Sequence, residues 1–204
     1  MPGEWHYIDS KDELTLENLK GLGPRYVFFL HWSYKVPEEI LDTFNCVVFH
    51  MTDVPYGRGG SPLQNLIVRG HKDTKLTALK MTKDFDAGPV YAKRNLSLHG
   101  NAEEILVRAS EISAELIEWM IREEPQPQEQ EGEPTVFKRR KPEESLLPNE
   151  DIERVYDHIR MLDAEGYPPA FLRYGRLKLE FKKANLYDNK VVAEVTITPM
   201  EEEV

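Results

Sequence analysis

Apolar residues run almost without interruption through three short stretches in the first quarter of the chain. These stretches are WHYI at 5–8, YVFFL at 26–30 and CVVFH at 46–50. Strands buried on both faces of a parallel sheet have this continuous pattern, whereas half-exposed strands alternate. The two intervening segments, the second of which opens at Pro37, have the apolar spacing of short helices. The pattern therefore predicts an α/β fold.

Two weaker runs at 74–81 and 90–98 alternate in part and predict a hairpin at the edge of that sheet. Asn101 then has the character of a helix N-cap. Apolar residues follow it every three or four positions, which is the spacing of a helix packed on a sheet. They are Ile105, Ala109, Ile112, Leu116 and Met120. A long helix is therefore expected after the hairpin.

A stretch rich in proline, glutamate and glutamine, REEPQPQEQEGEPT, follows this helix. Such a composition cannot bury apolar surface and favours an exposed linker. Beyond it lie one helical segment near 152–162 and three strand-like runs, which are typical of a small α+β or β-rich unit. We therefore predict a core at 1–122, a linker at 123–135 and a C-terminal subdomain at 136–204.

Charge and cysteine content narrow the functional classes. The 36 acidic residues outnumber the 26 basic ones and give a net charge of −10, which disfavours a nucleic-acid partner unless basic groups cluster. The single cysteine, Cys46, lies in an apolar run and is interpreted as a buried structural thiol. With no apparent signal peptide or transmembrane run, the prediction is a cytoplasmic protein with no membrane partner.

The segment FHMTDVPYGRGGSPLQNL at 49–66 places a histidine at the end of a buried strand, directly before proline and glycine turns. A further turn, Asp86-Ala87-Gly88, follows later in the chain. A histidine held by a carboxylate can move protons and stabilise an oxyanion, so His50 and Asp86 are a candidate catalytic pair. The alternatives are a structural histidine and an ordinary turn-forming aspartate.

The order of these features resembles the formyltransferases that use N10-formyl-tetrahydrofolate. The resemblance rests on VFH at 48–50, TDVP at 52–55, RGGSPLQ at 58–64 and FDAG at 85–88, and it continues through KRRKPEES and IRMLDAEGYPPAF. It implies a Rossmann-like formyltransferase core whose sheet is pared down at its start. The sequence of residues 50–67 is most similar to that of short formyltransferases of pseudaminic-acid-type sugar pathways.

The resemblance also implies site residues. It implies catalytic roles for His50 and Asp86. It implies contacts with the cosubstrate N10-formyl-tetrahydrofolate by Ser33, Val36, Pro37, Met81 and Asp84, and with the acceptor by Arg58, Gly59, Gly60 and Gln64. The glycines after Arg58 would let a ligand approach the main chain, although a merely flexible loop is the alternative. The histidines lack the spacing of a metal site, so no metal is predicted.

One position departs from the family pattern. Val48 stands where the family carries an asparagine that donates a hydrogen bond to the oxyanion, and valine has no donor. Losing such a donor costs roughly 100- to 1,000-fold in rate. Either Thr52 or a backbone N–H replaces it, or the enzyme is slow or inactive.

The acceptor is inferred from size and charge. Methionyl-tRNA formyltransferases carry basic surface and a longer C-terminal domain, whereas this chain is short and acidic. We therefore expect an amino sugar on a nucleotide, by analogy a UDP-linked 4-amino-4,6-dideoxy sugar. A methionyl-tRNA formyltransferase-like enzyme and a non-catalytic folate-binding protein remain as alternatives, and a homodimer is left open.

Overall fold

The structure is a computed structural model that describes residues 3–32 and 34–200. Its first half contains α1 (Leu16–Leu22), β1 (Val27–Phe29), α2 (Glu38–Thr43), β2 (Cys46–His50), β3 (Arg58–Gly59), α3 (Pro62–Val68), β4 (Asp73–Lys80) and β5 (Val90–Ser97). The second half contains α4 (Ala102–Glu123), β6 (Val136–Phe137), a 3₁₀ turn (Pro142–Ser145), α5 (Ile152–Arg160), β7 (Ala170–Tyr174), β8 (Leu177–Tyr187) and β9 (Lys190–Pro199). The predicted α/β class is confirmed.

The first sheet has the strand order β1-β2-β4-β5. β1 and β2 are parallel, with Phe29 opposite Val48, while β4 runs antiparallel to β2, with Thr77 opposite His50. Two of the three predicted apolar strands are thus confirmed, as are both strands of the hairpin. The prediction of a strand at 5–8 is wrong, because this segment forms no ladder and instead packs Trp5 on Phe28, with ring centroids 6.5 Å apart.

Contacts divide the chain into two compact units. The first contains the residues up to Gly59 together with Lys75–Leu96 and Ala109–Val136, and the second contains Gly60–Thr74, Ser97–Arg108 and the residues from Phe137 onward. Each unit combines separate segments of the chain, so the two units do not meet at one single linker in the sequence. The proposed linker at 123–135 groups with the first unit.

The core of the first unit on one side of its sheet is a cluster of buried side chains from α1, α2, β1 and β2. Leu19, Phe29, Ile40 and Cys46 belong to it, and Trp32, Val48 and Met81 pack against it. Neighbouring residues of paired strands share a face, so Phe29, Val48 and Cys46 lie on one face of the sheet. His50, two residues beyond Val48, lies on that same face.

The second unit contains an antiparallel sheet of β7, β8 and β9. Its apolar face carries Leu172 opposite Leu179 and Phe181 opposite Val195. The neighbouring helix α5 contributes the buried Ile159. Towards the turn between β7 and β8, Tyr174 and Ile197 are exposed. This unit matches the β-rich character predicted for the C-terminal residues.

The long helix α4 begins where the sequence predicts. Asn101 Oδ1 accepts a hydrogen bond from the Glu104 N–H at 2.9 Å, and Glu104 Oε2 accepts one from the Asn101 N–H at 2.9 Å. These reciprocal bonds form a capping box and satisfy N–H groups that the first helical turn leaves free.

Within 3–32 and 34–200, no helix is both long and apolar enough to cross a membrane.

Candidate functional site

The candidate site lies at the carboxyl end of β2 in the first unit. Because β1 and β2 are parallel, His31 and Trp32 leave the sheet at the same edge where His50 ends β2. Ligands of open α/β sheets bind outside the carboxyl ends of their strands. His50 is 7% exposed and Asp86 is 14% exposed at the side chain, so this pair is almost closed to solvent.

Both ring nitrogens of His50 face oxygen acceptors of the protein. Nε2 lies 2.8 Å from the carbonyl oxygen of Gly57, and Nδ1 lies 3.5 Å from Oδ1 of Asp86. A neutral imidazole has one donor and one acceptor, so only the doubly protonated ring donates to both oxygens. The sequence-predicted pair is therefore brought together, and its carboxylate is placed to stabilise an imidazolium.

Asp86 occupies a backbone conformation that few side chains adopt. Its φ of +53° lies in the left-handed region, which aspartate tolerates better than most residues. The other carboxylate oxygen, Oδ2, accepts a hydrogen bond from the Gly59 N–H at 2.9 Å. Two residues on, a Cβ added to Gly88 would stand 1.9 Å from the Lys80 carbonyl oxygen, so this tight turn requires glycine.

Residues 128–135, here called the strap, hold the loop and the turn of the site. Gln130 bonds to Arg58 and to the backbone at Asp86 and Gly88. Thr135 Oγ1 accepts from the Gly57 N–H at 2.7 Å, and its carbonyl accepts from the Arg58 N–H at 3.0 Å. Sequence reasoning missed both residues, since the strap is mostly exposed and has a linker's composition. A glutamine and a threonine in such a stretch give no periodic signal.

The residues predicted to contact the folate cosubstrate differ in burial and in position. Ser33 lies outside the described residues. Val36 is buried in the core cluster, Met81 packs against it, and Pro37 is the exposed N-cap of α2. Asp84 is exposed, and its carbonyl oxygen accepts from the Thr82 hydroxyl at 3.0 Å. Val36 and Met81 thus share one apolar cluster, and the contact with folate stays a prediction for all five.

The residues predicted to contact the acceptor divide between the two units. Arg58 and Gly59 belong to the first unit and are bonded to Gln130 and Asp86. Gly60 and Gln64 belong to the second, where Gly60 donates to the Phe137 carbonyl and the buried Gln64 amide donates to the Met161 carbonyl. These bonds give each residue a role in the fold, and acceptor binding by any of them stays a prediction.

The replacement for the family asparagine is not Thr52 in this conformation. Thr52 is fully buried, and its hydroxyl donates to the Gly57 carbonyl at 3.3 Å. The backbone N–H of Gly59 is likewise taken, because it donates to Asp86.

Trp32 carries a buried indole N–H that has no hydrogen-bond partner in the structure. No group of three or more potential metal ligands occurs within the described ranges 3–32 and 34–200.

Comparison with known proteins identifies the family. A solved structure described as methionyl-tRNA formyltransferase from Clostridium thermocellum matches with a TM-score of 0.92 and 53% identity, over 94% of this chain and 86% of that chain. This chain belongs to the formyltransferase family. Residues 142–198 also match the family model of the methionyl-tRNA formyltransferase C-terminal domain.

More distant proteins are similar to the chain as well. Methionyl-tRNA formyltransferase of Sinorhizobium medicae is 30% identical over 76% of this chain and 53% of its own length, so the chain spans about half the length of the curated relatives it matches. HypX from Aquifex aeolicus, solved in complex with tetrahydrofolic acid, has a TM-score of 0.72 at 20% identity, over 86% of this chain and 32% of that chain. A sugar N-formyltransferase from Shewanella has a TM-score of 0.63 at 13% identity, over 92% and 76%. The last two similarities concern the fold alone.

Proposed function

We propose that this formyltransferase moves a formyl group from N10-formyl-tetrahydrofolate to a primary amine. The observation that carries the proposal is the buried pair of His50 and Asp86, whose carboxylate lies 3.5 Å from the ring nitrogen at the carboxyl edge of the sheet. Family membership supports the same reaction. The sequence resemblance assigns the catalytic roles to the same two residues.

The chemistry needs a site that removes a proton from the amine and tolerates negative charge. Attack of the amine forms a carbon–nitrogen bond and places negative charge on the formyl oxygen. The carbonyl then re-forms as the bond to the folate nitrogen breaks, and the proton lost by the amine passes through the pair to that nitrogen, which leaves tetrahydrofolate as the second product. In this proposal the pair takes up the amine proton at His50, and the Asp86 carboxylate, 3.5 Å from the ring nitrogen, stays charged. An imidazolium at His50 then compensates the negative charge nearby.

The apolar cluster beside the site is the proposed wall for the folate ring. Val36 and Met81 come from the two segments that the resemblance links to cosubstrate binding, and both meet the cluster around Phe29 and Cys46. An aromatic ring system fits an apolar pocket lined by a few polar groups. The tetrahydrofolic acid bound by HypX is consistent with this choice of ligand class.

For the acceptor we propose an amine on a nucleotide-linked sugar, including the UDP-linked 4-amino-4,6-dideoxy class. Residues 137–204 contain 14 acidic and 12 basic residues, and such a balance does not favour a long RNA backbone. The second candidate acceptor is methionyl-tRNA, because the relatives at 53% and 30% identity carry that name. A folate-binding protein without catalysis is the third reading, supported by Val48.

The test is a transfer assay with labelled N10-formyl-tetrahydrofolate. A panel of UDP- and dTDP-linked amino sugars and charged methionyl-tRNA are offered separately, and formylated products are detected by mass. Transfer to an amino sugar supports the preferred acceptor, and transfer only to methionyl-tRNA replaces it with the second. Binding of the folate without transfer to any acceptor would favour the non-catalytic reading.

A further inference from the structure

Gln130 uses its whole side-chain amide to join three parts of the candidate site. Its Nε2 donates to the carbonyl oxygen of Asp86 at 2.9 Å and to that of Gly88 at 2.8 Å. Its Oε1 accepts from Arg58 Nε at 3.1 Å and from Arg58 Nη2 at 2.8 Å. Both donor hydrogens and the acceptor oxygen are thus engaged at the same time.

Backbone bonds on both sides of Gln130 hold its position. Gln128 and Val90 exchange two backbone hydrogen bonds, of 2.7 and 2.9 Å. On the other side, the Thr135 N–H donates to the Pro55 carbonyl at 3.0 Å. The strap is therefore anchored at each end, and Gln130 lies between the anchors as a half-buried residue. Such support is what fixes a side chain in one geometry.

No other side chain reproduces this set of bonds. Glutamate keeps the acceptor for Arg58 but loses both donors to the carbonyls. Asparagine is one methylene shorter, and lysine and arginine lack an acceptor. The two carbonyls belong to the turn that holds Asp86 in its left-handed conformation, so the amide acts directly on the backbone that aims the carboxylate.

We propose that Gln130 is a positioning residue for the reaction, which holds the Asp86 carboxylate towards His50 and the Gly59 N–H. This proposal rests on the proposed formyl transfer for its kinetic part only. Gln130 bonds to the backbone of Asp86 rather than to the reacting side chains, so its effect passes through the turn at Asp86–Gly88. A misplacement of a reacting group by about 1 Å can cost on the order of 100-fold in rate.

The experiment compares Gln130→Ala and Gln130→Glu with the wild-type protein. For each variant we measure kcat, the KM for the folate and the hydrogen exchange of individual backbone amides. We expect kcat to fall about 10- to 100-fold with the KM changed less than about twofold. We also expect the Gly59 amide, which is bonded to Asp86, to exchange at least about tenfold faster, while the Gly57 amide, bonded to Thr135, stays protected.

Gln128→Glu is the matched control. It makes the same change on the same strap, but Gln128 is exposed and takes part only through its backbone. It should leave kcat and the exchange of Gly59 unchanged. The exchange measurement does not require catalysis, so it tests positioning even if no acceptor is formylated.

Two results would overturn the proposal. One is wild-type kcat together with wild-type exchange at Gly59 in both Gln130 variants. The other is an equal loss of protection at Gly57 and Gly59, since this would mean that Gln130 merely stabilises the whole loop. If Gln130→Ala does not fold, Gln130→Glu decides alone, because it keeps the bond to Arg58.

Discussion

The His50 site and the β7–β9 sheet use polar and apolar groups in opposite ways. At the His50 site, His50 Nε2, Asp86 Oδ2 and the Gln130 amide belong to buried or half-buried residues and have hydrogen-bond partners in the protein. On the β7–β9 sheet, large apolar side chains remain exposed, with Tyr174 at 75% and Ile197 at 59%. The His50 site buries polar groups, and the β7–β9 sheet leaves apolar side chains exposed to water.

This difference indicates where changes should matter. A buried polar network fails when one member is removed, because its partner is left unsatisfied in a medium of low dielectric constant. An exposed apolar side chain has little burial to lose. The variants below test this contrast in order of decreasing expected effect.

The largest effect is expected from His50→Ala. Removing a general acid or base lowers the rate by roughly 100- to 10,000-fold, and we expect a loss in that range with folate binding retained. The measurements are kcat for formyl transfer and the dissociation constant of the folate. His99→Ala, an exposed histidine, is the control and should keep wild-type kcat. Near-normal turnover of His50→Ala would remove His50 from the mechanism.

Two isoleucines of the second unit compare a buried apolar side chain with an exposed one. Ile159 on α5 is 2% exposed, whereas Ile197 on β9 is 59% exposed. We expect Ile159→Ala to lower the free energy of unfolding by about 2–5 kcal/mol and Ile197→Ala by about 0.5 kcal/mol or less. Urea denaturation of both variants gives the values. A similar loss for the two would mean that the exposed face is covered in solution.

His158 gives a pH-dependent test of burial. Burial lowers the pKa of His158 from its ordinary 6.5, and the positive charge of Arg140 lowers it further. The unfolded state then binds the proton more readily, so stability falls as the pH drops below about 6.5, by at most about 1.4 kcal/mol per pH unit from this group. His158→Gln should make the free energy of unfolding, measured by urea denaturation, depend less on pH between pH 7 and 5. An unchanged dependence would contradict the attribution of this loss of stability to His158.

The smallest effect is expected at Cys46. Burial raises the pKa of this thiol to about 12, so almost no thiolate exists near neutral pH. The native protein should therefore react with a disulfide reagent only at the rate at which it unfolds, and complete labelling should require denaturant. Rapid labelling of the folded protein would show that the core around Cys46 opens.

The parts that sequence predicted well are those where burial leaves a periodic trace. β1, β2, the hairpin and α4 follow from apolar runs and from the cap at Asn101. The segment at 5–8 was predicted wrongly because its apolar side chains pack on the sheet through rings, as Trp5 does on Phe28, without a hydrogen-bonded ladder.

At the site, His50 and Asp86 could be chosen from residue type, order and family resemblance. Gln130 and Thr135 could not, since their partners, several backbone groups and the Arg58 side chain, lie far away in the chain, and a polar, proline-rich segment gives no sign of such bonds. Composition predicts that a segment is exposed, but not what its few half-buried side chains hold.

We expect the Asp86 carboxylate and His50 to act as one unit in formyl transfer, and the single-turnover rate of Asp86→Asn decides whether they do. Asparagine retains the size of the side chain and an oxygen for the Gly59 N–H, but removes the charge that faces His50. With labelled N10-formyl-tetrahydrofolate and an acceptor that the wild type formylates, we expect this rate to fall by at least about 100-fold with unchanged folate affinity. A single-turnover rate close to that of the wild type would contradict it.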